Sequence, residues 1–447
     1  MAAQPSWPLL VHVDPAAPFA SRHGRIVTAA QFVAQARALA ERLEADQILN
    51  LCTDRYHFAV GLAAALIAGK PSLLASAHAP AAIRASSEGT VLCLADAADV
   101  AVSWPTLRVD AALLPAAGTA WQVPRIDATQ RAVQVFTSGS TAAPVPHAKS
   151  WGSLVTGAQA LAQQLELRTG PRCLIVSTVP APHMFGLEAT VMLPMHSGHL
   201  LCDERPFFPA DVVARLAALP APRILVTTPV HLNALLGADL VVPALDRVVV
   251  STAPLAQSLA QRAEQRLQCP LLEIYGSTES GQIAVRRTSV EREWRLSPDL
   301  RIELRGQQAW VTGGHVEIAV PLADRIELLE GQRFLLQGRQ SDQVNIAGKR
   351  SSLGYLNHQL ASIPGVLEAV FFHPAGSERE SVGDARLAAA VVAPGCSSAS
   401  IAAELRRRID AAFMPRPLLL VDRLPRDANG KIPREQLQAL RAAHGLP

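Results

Sequence analysis

Short apolar runs of strand length recur along the chain and alternate with Ala/Leu-rich segments that have helical spacing. The runs are Gln47–Cys52, Pro71–Ala75, Thr90–Leu94, Arg172–Ser177, Ile224–Thr227 and Arg247–Val250. The helical segments include Ala29–Leu43, Phe58–Ala68 and Pro209–Leu219. This alternation predicts parallel sheets whose faces are covered by helices. An all-helical protein with buried apolar runs is the alternative.

The pattern changes after Pro298, and again after the segment Gly338–Asp342. The first change brings short alternating stretches, which predict antiparallel strands or a small barrel at Leu300–Leu304, Ala309–Thr312 and Val316–Val320. The second begins a unit with predicted helices at Leu353–Ser362 and Ser398–Phe413 and predicted strands at Val366–His373 and Arg386–Val392. The predicted fold class is α/β, with a large N-terminal domain that includes a small barrel-like β region and a small α+β C-terminal domain.

Composition and charge exclude several classes of function. The 447 residues carry 41 Lys and Arg against 38 Asp and Glu, a net charge of +3, so we expect no nucleic-acid partner. Hydrophobic residues make up 49% of the chain, which argues against disorder. We expect no signal peptide, because the start MAAQPSWPLLVHVDP has no basic segment followed by an uninterrupted apolar run. We expect no membrane span, because no apolar run reaches about 18 residues. The six cysteines are scattered without a CxxC pair, which predicts a cytoplasmic protein.

Two polar segments follow apolar strands, at the place where open α/β sheets bind ligands. In VFTSGSTAAPVP, the residues Thr137–Thr141 offer hydroxyl and backbone N–H groups to a phosphate; an ordinary polar loop is the alternative. In EIYGSTESGQ, Thr278 and Glu279 follow Gly276, and a carboxylate beside a hydroxyl can hold Mg²⁺ and a phosphate oxygen. The alternative there is a helix N-terminus capped by Ser277 or Thr278.

Two later segments complete a pattern of four. They are Asp324…Gly338-Arg339…Asp342…Gly348-Lys349-Arg350 and Leu424-Pro425-Arg426…Asn429-Gly430-Lys431-Ile432. In this order and spacing, the four segments resemble the adenylate-forming superfamily, which includes acyl-CoA synthetases, aryl-acid ligases, luciferases and the adenylation domains of peptide synthetases. The resemblance covers most of the chain.

The resemblance implies an enzyme, an AMP-forming acid–thiol ligase that uses ATP and Mg²⁺. A carboxylate attacks the α-phosphate of ATP, forms an acyl-adenylate and releases pyrophosphate; a thiol then displaces AMP. The implied partners are a carboxylic acid and either an acyl carrier protein or CoA. A non-catalytic nucleotide-binding relative is the alternative.

The resemblance also implies roles for residues at matching positions. The ATP-binding residues are Thr137, Ser138, Gly139, Ser140, Thr141, Lys149, Ser251, Ala253, Pro254, Glu273, Tyr275, Gly276, Ser277, Asp324 and Arg339. The catalytic residues are Lys431, Thr278, Glu279 and His183, and Glu279 is also the magnesium ligand. A lysine suits position 431 because its ammonium, on a flexible stem, can follow charge between two oxygens. An exposed lysine in an Asn-Gly turn is the alternative.

Two domains and a hinge follow from the same resemblance. Residues 1–339 would bind ATP and the acid, residues 340–342 would form the hinge with Asp342, and residues 343–447 would form a small mobile domain that carries Lys431. After adenylation, rotation of the small domain would bring the loop Gly348, Lys349 and Arg350 to the thiol step.

One departure from the family pattern concerns the phosphate loop. The family's loop usually continues Thr-Gly-x-Pro-Lys-Gly, whereas this chain has Thr141-Ala142-Ala143-Pro144-Val145-Pro146. Both glycines and the lysine are therefore missing. Lys149 is the candidate to replace the lysine absent at Val145.

The substrate acid is predicted from His183-Met184-Phe185-Gly186, which resembles the His-x-x-Gly segment near the acyl pocket of acyl- and aryl-CoA synthetases. We therefore predict His183, Phe185 and Gly186 as substrate residues, a buried core histidine being the alternative for His183. No aspartate lies nearby to pair with an amino acid's ammonium, which favours an aryl or fatty acid.

The run HAKSW at His147–Trp151 resembles the ligases of aryl-polyene and xanthomonadin pigment clusters, which load a hydroxybenzoate-type acid onto an acyl carrier protein. An aryl- or fatty acyl-CoA synthetase that uses CoA is the alternative. An acidic carrier would dock on a basic surface, for which Arg406–Arg408 is a candidate and a solvated helix face the alternative.

Overall fold

A computed structural model describes residues 5–74, 83–84, 87–97, 102–112, 121–136, 145–339, 343–346, 349–372, 387–426, 432, 436–437 and 439–440. The strands up to residue 150 are β1 (Ser6–Pro8), β2 (Pro18–Arg22), β3 (Arg25–Thr28), β4 (Gln47–Asn50), β5 (Ser72–Leu74), β6 (Val91–Ala95), β7 (Thr106–Arg108), β8 (Arg125–Asp127), β9 (Arg131–Phe136) and β10 (Pro146–Ser150). The strands from residue 174 to residue 339 are β11 (Leu174–Ser177), β12 (Leu200–Cys202), β13 (Arg223–Thr227), β14 (Arg247–Val250), β15 (Leu271–Ser277), β16 (Gly281–Arg286), β17 (Trp294–Leu296), β18 (Leu300–Arg305), β19 (Gln308–Gly313), β20 (Val316–Pro321), β21 (Asp324–Leu329) and β22 (Arg333–Arg339).

The later strands are β23 (Gln343–Ile346), β24 (Lys349–Ser352), β25 (Glu368–Phe372), β26 (Ala388–Val392) and β27 (Leu418–Leu420). The α-helices are α1 (Ala29–Ala40), α2 (Arg55–Ile67), α3 (Val109–Ala112), α4 (Trp151–Gln164), α5 (Met184–Leu187), α6 (Leu193–Ser197), α7 (Pro209–Ala217), α8 (Pro229–Gly237), α9 (Gln257–Leu267), α10 (Leu353–Ala361) and α11 (Ser398–Leu405). A π-helical turn, Glu188–Met192, joins α5 to α6, and Ala411–Phe413 form a 3₁₀ turn.

The two largest sheets in the described part of residues 1–339 are both mixed. The order β10-β9-β5-β4-β6-β7 forms one sheet, in which all neighbours are parallel except β9 and β10. The other has the order β21-β22-β17-β16-β15-β14-β13-β11-β12-β2-β3 and is parallel from β15 to β2. Its centre is covered on both faces, because Leu174 and Val176 of β11 lie in one hydrophobic cluster and Ile175 lies in another. This confirms the predicted α/β class.

Apart from the helix predicted over Ser398–Phe413, the predicted elements agree with the structure to within about three residues at each end. The difference at α2 has a local cause: the Asp54 side chain accepts a hydrogen bond from the His57 N–H at 2.9 Å, so the helix begins at Arg55 rather than Phe58. Thr28 and Gln31 begin α1 with a reciprocal capping box. The all-helical alternative is wrong.

The predicted antiparallel region is an open three-stranded sheet with the order β18-β19-β20, and the described strands there do not close into a barrel. The helix predicted over Ser398–Phe413 is shorter than expected. It ends at Leu405, after which the N–H groups of Arg407 and Arg408 bond three residues back, to the carbonyls of Glu404 and Leu405. Asp410 is then extended and accepts a hydrogen bond from the Ala412 N–H at 3.0 Å, which starts a new turn. Among the described helices, none is both long and apolar enough to cross a bilayer.

Candidate active site

Four parallel strands of the large sheet end at one edge and place polar residues there. Residues Thr178, Thr228, Ser251 and Gly276 lie at the carboxyl ends of β11, β13, β14 and β15. This edge is where α/β sheets bind ligands, because the strand ends and following loops leave a crevice. The edge contains two of the predicted ATP-binding segments.

The turn between β15 and β16 carries Thr278 and Glu279. It is closed by hydrogen bonds between Ser277 and Ser280, whose hydroxyl oxygens lie 3.1 Å apart, and Ser280 is buried. Thr278 is half-buried and the Glu279 carboxylate is partly exposed. The helix-cap alternative for this segment is wrong, because the chain returns as β16.

Beneath this turn lies Glu188, a residue that the sequence-based assignment did not include. Its carboxylate oxygens accept the backbone N–H of Gln282 at 3.1 and 3.2 Å. Gly281, with φ +73°, leaves the room for it, since a Cβ there would lie 2.6 Å from Glu188 Oε1. Burial raises the pKa of the Glu188 carboxyl to about 7, although the Gln282 N–H and the charge of Lys149 oppose this.

Lys149 reaches the same turn from β10. Its ammonium donates a hydrogen bond to the backbone carbonyl of Glu279, and its side chain is buried. Burial lowers the pKa of Lys149, and the charges of Glu188, Glu279 and Glu317 oppose that shift. His147, two residues earlier on the strand, lies 3.7 Å from Glu279 Oε1.

The Glu279 carboxyl has a lowered pKa. Burial works against this shift, and the backbone N–H, the Ser277 hydroxyl and the electrostatic interactions with His147 and Lys149 outweigh it. An ionised carboxylate beside the Thr278 hydroxyl is an oxygen donor set of the kind that Mg²⁺ prefers. The residues present therefore fit a magnesium ion at this turn.

The predicted ribose residues Asp324 and Arg339 face each other in register on β21 and β22. Tyr275 connects β15 to Asp324, because its hydroxyl donates a hydrogen bond to Asp324 Oδ2 at 2.7 Å. The Tyr275 ring packs against Trp294 and Phe334 at centroid distances of 5.4 and 5.9 Å.

The predicted adenine residues lie on the neighbouring strand ends. Ser251, whose hydroxyl donates to the Ile274 carbonyl at 2.9 Å, leads into the loop that contains Ala253 and Pro254. Glu273 is buried, and its partners are Arg286 at 2.7 Å, the Thr288 hydroxyl at 2.6 Å and the Leu255 N–H at 3.0 Å. Its carboxylate therefore fixes the loop after β14 to β15.

In the segment His183–Gly186, predicted to line the pocket for the substrate acid, the glycine is required for a steric reason. The His183 N–H donates to the Pro180 carbonyl at 3.3 Å, and a Cβ at Gly186 would lie 1.9 Å from that same oxygen. Only glycine fits there. His183 is half-buried at the start of α5, whereas Phe185 is buried in the cluster beneath the sheet.

Several predicted residues lie outside the described part of the chain: Thr137, Ser138, Gly139, Ser140, Thr141, Asp342, Gly348 and Lys431. Arg350 lies on β24 next to Lys349, whose ammonium is 2.5 Å from Asp410. In the predicted carrier surface, Arg407 and Arg408 pair with Glu404 at 3.2 and 2.8 Å, which neutralises part of its charge.

Sequence reasoning missed Glu188, His147 and His315 as members of this region. His315 is buried, and its Nε2 lies 2.7 Å from the carbonyl oxygen of Gln282. Gln282 is the residue whose N–H binds Glu188. A signal was present for Glu188, since it is a carboxylate in an apolar helical stretch. For His147 the signal was its spacing of two residues from Lys149, which places both on one face of a strand.

Comparisons with known proteins find similar sequences and a similar fold. A family model described as "AMP-binding enzyme" matches residues 10–331. The chain is 32% identical to a 4-coumarate–CoA ligase of Rhodobacter capsulatus over 64% of this chain and 70% of that protein. It is 23% identical to a 4-chlorobenzoate–CoA ligase of Arthrobacter over 76% and 70%. The fold resembles that of o-succinylbenzoate CoA synthetase from Bacillus subtilis in complex with an acyl-adenylate, with a TM-score of 0.80 at 18% identity and coverage of 97% and 98%.

Proposed function

The chain belongs to the family of AMP-binding enzymes and is an AMP-forming acid–thiol ligase, and from that premise we propose that it joins an aromatic carboxylic acid to a phosphopantetheine thiol. In the first step a carboxylate oxygen bonds to the α-phosphorus of ATP and the bond to pyrophosphate breaks. In the second step the thiol sulfur bonds to the acyl carbon, AMP leaves and the thiol proton is released.

The observation that supports this proposal most is the turn Thr278–Glu279 at the carboxyl edge of the sheet. It lies between β10, which follows the predicted phosphate loop, and the segment that begins at His183. In the proposal, Thr278 binds the α-phosphate, Asp324 and Arg339 bind the ribose, and Glu279 holds Mg²⁺. The ion, when bound, would neutralise charge on the phosphates.

The catalytic lysine and the hinge are part of the same proposal. Lys431 would neutralise the charge shared by the acid and the α-phosphate during the first step. Rotation about Asp342 of a domain that spans residues 343–447, relative to residues 1–339, would then replace Lys431 by the loop Gly348–Arg350.

An aromatic acid is favoured by two observations. The relatives named above are ligases of 4-coumarate and 4-chlorobenzoate, both aromatic acids. In addition, Glu188, the carboxylate nearest in sequence to His183, is buried and bound to the Gln282 N–H, so it does not offer a counter-ion to a substrate ammonium. An amino acid substrate is therefore disfavoured.

The acceptor is proposed at the level of the phosphopantetheine thiol, which CoA and acyl carrier protein share. The names of the relatives favour CoA. The resemblance of His147–Trp151 to pigment-cluster ligases favours a carrier protein and a hydroxybenzoate. All six cysteine thiols are free, which fits the reducing cytoplasm in which both acceptors occur.

An ATP–pyrophosphate exchange screen tests the first step. Labelled pyrophosphate, ATP and Mg²⁺ are mixed with the full chain and one acid at a time from benzoates, cinnamates and fatty acids, with acid omitted as the control. We expect exchange with at least one hydroxylated benzoate or cinnamate; exchange with fatty acids alone, or with none of the acids, contradicts the proposal. Thioester formation with CoA or with a purified carrier protein then identifies the acceptor.

A further inference from the structure

Two buried side chains, Lys149 and Glu188, are hydrogen-bonded to the backbone of the Thr278–Glu279 turn. Lys149 donates to the carbonyl of Glu279, and Glu188 accepts from the N–H of Gln282. These two backbone groups flank Ser280 and Gly281, so the turn is bound at its outgoing and its returning side. The two side chains come from different elements, β10 and the π-helical turn after α5.

The position of Lys149 on its strand decides which part of the site it serves. Pro146 pairs with Phe136, the last described residue before Thr137, and Lys149 pairs with Val133. The backbone of Lys149 therefore lies four residues beyond that of Val145, a distance of about 13 Å in extended chain. Val145 directly precedes β10, which begins at Pro146. Lys149 therefore reaches the turn, whereas a lysine at Val145 would be rooted beside the loop.

Glu188 has the properties of an anchor rather than of a ligand to a substrate. Both of its oxygens lie within hydrogen-bond distance of one backbone N–H, and its side chain is 7% exposed. Gly281 lacks the Cβ that would collide with it. Such a buried carboxylate is stable only if an opposite charge and hydrogen bonds compensate for its lost hydration. Lys149 supplies that charge.

We propose that Lys149 and Glu188 form a charged clamp that positions the turn bearing Thr278 and Glu279, and that Lys149 acts on this turn rather than on the phosphates. The clamp ties together three parts of the proposed site: the strand after the phosphate loop, the turn, and the helical segment that begins at His183. Both are positioning residues. This inference rests on the proposed function for its kinetic test and on the geometry alone for its structural test.

The kinetic test compares Lys149→Met and Glu188→Gln with wild type in ATP–pyrophosphate exchange. We expect kcat to fall by about 100-fold, because a misplacement of about 1 Å at a reacting centre has an effect of that size. The KM for ATP should change much less, within about threefold, since neither of the replaced side chains itself contacts the nucleotide in the proposed site. Lys70→Met and Glu330→Gln, at a helix-to-strand turn and an exposed turn, are the matched controls and should retain wild-type activity.

The double variant Lys149→Met/Glu188→Gln tests whether the two residues act as one unit. It should lose about as much activity as either single variant rather than about 10⁴-fold, since the turn is already displaced when one of its two anchors is absent. Additive losses overturn the clamp. A rise in the KM for ATP with unchanged kcat also overturns it, because Lys149 would then bind the nucleotide.

Amide hydrogen exchange of the full chain without substrates gives a readout that does not depend on activity. In either single variant, peptides that cover residues 277–282 should exchange about tenfold faster than in wild type, while peptides from α1 and α2 stay unchanged. Unchanged exchange at residues 277–282 overturns the clamp. If wild type shows no pyrophosphate exchange with any acid, the proposed function fails, and hydrogen exchange still decides this inference.

Discussion

The ammonium of Lys149 donates a hydrogen bond to the backbone carbonyl of Glu279, which joins two segments 130 residues apart in sequence. One segment follows the predicted phosphate loop, and the other carries the predicted magnesium ligand. A hydrogen bond from a charged donor is stronger than a neutral one, and this one is buried. A lysine suits this position better than an arginine, since an ammonium can reach a single carbonyl without the planar fork of a guanidinium.

Replacement of Lys431 by alanine should separate the two half-reactions. We expect adenylation, measured by ATP–pyrophosphate exchange, to fall by at least about 100-fold, because a charge that stabilises the reacting phosphoryl group is lost. Transfer from preformed acyl-adenylate to the thiol should stay within about threefold. Lys70→Ala serves as the control, and an equal loss of both half-reactions would refute the role assigned to Lys431.

Gly186→Ala should destabilise the protein and abolish acid activation. The new Cβ would lie 1.9 Å from the Pro180 carbonyl oxygen, so the chain before His183 must shift. We expect urea unfolding to show a loss of about 3 kcal/mol. Gly237→Ala is the matched control: nothing lies within 4 Å of its Cβ, and alanine in α8 should leave stability unchanged or raise it by up to about 1 kcal/mol. Equal stability of both variants would contradict this steric account.

Tyr275→Phe should weaken the use of ATP without weakening the fold. Phenylalanine retains the ring contacts with Trp294 and Phe334, whereas the hydrogen bond from the hydroxyl to Asp324 is lost. If Asp324 orients the ribose, steady-state kinetics should show a KM for ATP about tenfold higher, which corresponds to one hydrogen bond to a charged group. Tyr355→Phe, an exposed tyrosine on α10, should change this KM by less than about twofold. An unchanged KM in Tyr275→Phe would exclude this role for the Tyr275 hydroxyl.

Stability should fall as the pH drops below 6.5, partly because of His196. Burial lowers the pKa of this histidine to about 3, and repulsion from His12 adds to the shift. The unfolded chain binds the proton near pH 6.5 and the folded chain only near pH 3, so unfolding takes up protons between these values. Acidification from pH 7 to pH 5 should therefore remove about 2 kcal/mol of the free energy of unfolding through this residue.

The variant His196→Leu isolates this contribution. Its free energy of unfolding, measured by urea titration at several pH values, should vary less steeply with pH than that of wild type, by about 2 kcal/mol between pH 7 and pH 5. Parallel curves for the two proteins would show that His196 does not titrate in this way. The comparison depends on the slopes alone, so a constant loss of stability in the variant does not affect it.

The fold was largely predictable because its signals are local. Strands such as Arg247–Val250 are short apolar runs, and their predicted and observed bounds agree. The helix over Ser398–Phe413 was wrong in its second half for a reason that local spacing does not reveal. There, the Asp410 side chain accepts a hydrogen bond from the Ala412 N–H and begins a separate 3₁₀ turn instead of continuing the helix.

By itself, the sequence determined the fold class, because this depends on the spacing of apolar residues along the chain. It also determined the family and the segments that carry the predicted chemistry, because these depend on motifs of adjacent residues. Tertiary structure alone decided which distant groups meet. It placed Tyr275 against Asp324, Gly186 under the Pro180 carbonyl, and Lys149 and Glu188 on either side of one turn. Such contacts depend on strand order and on a few ångströms of packing, and neither is encoded in the spacing of residues along the chain.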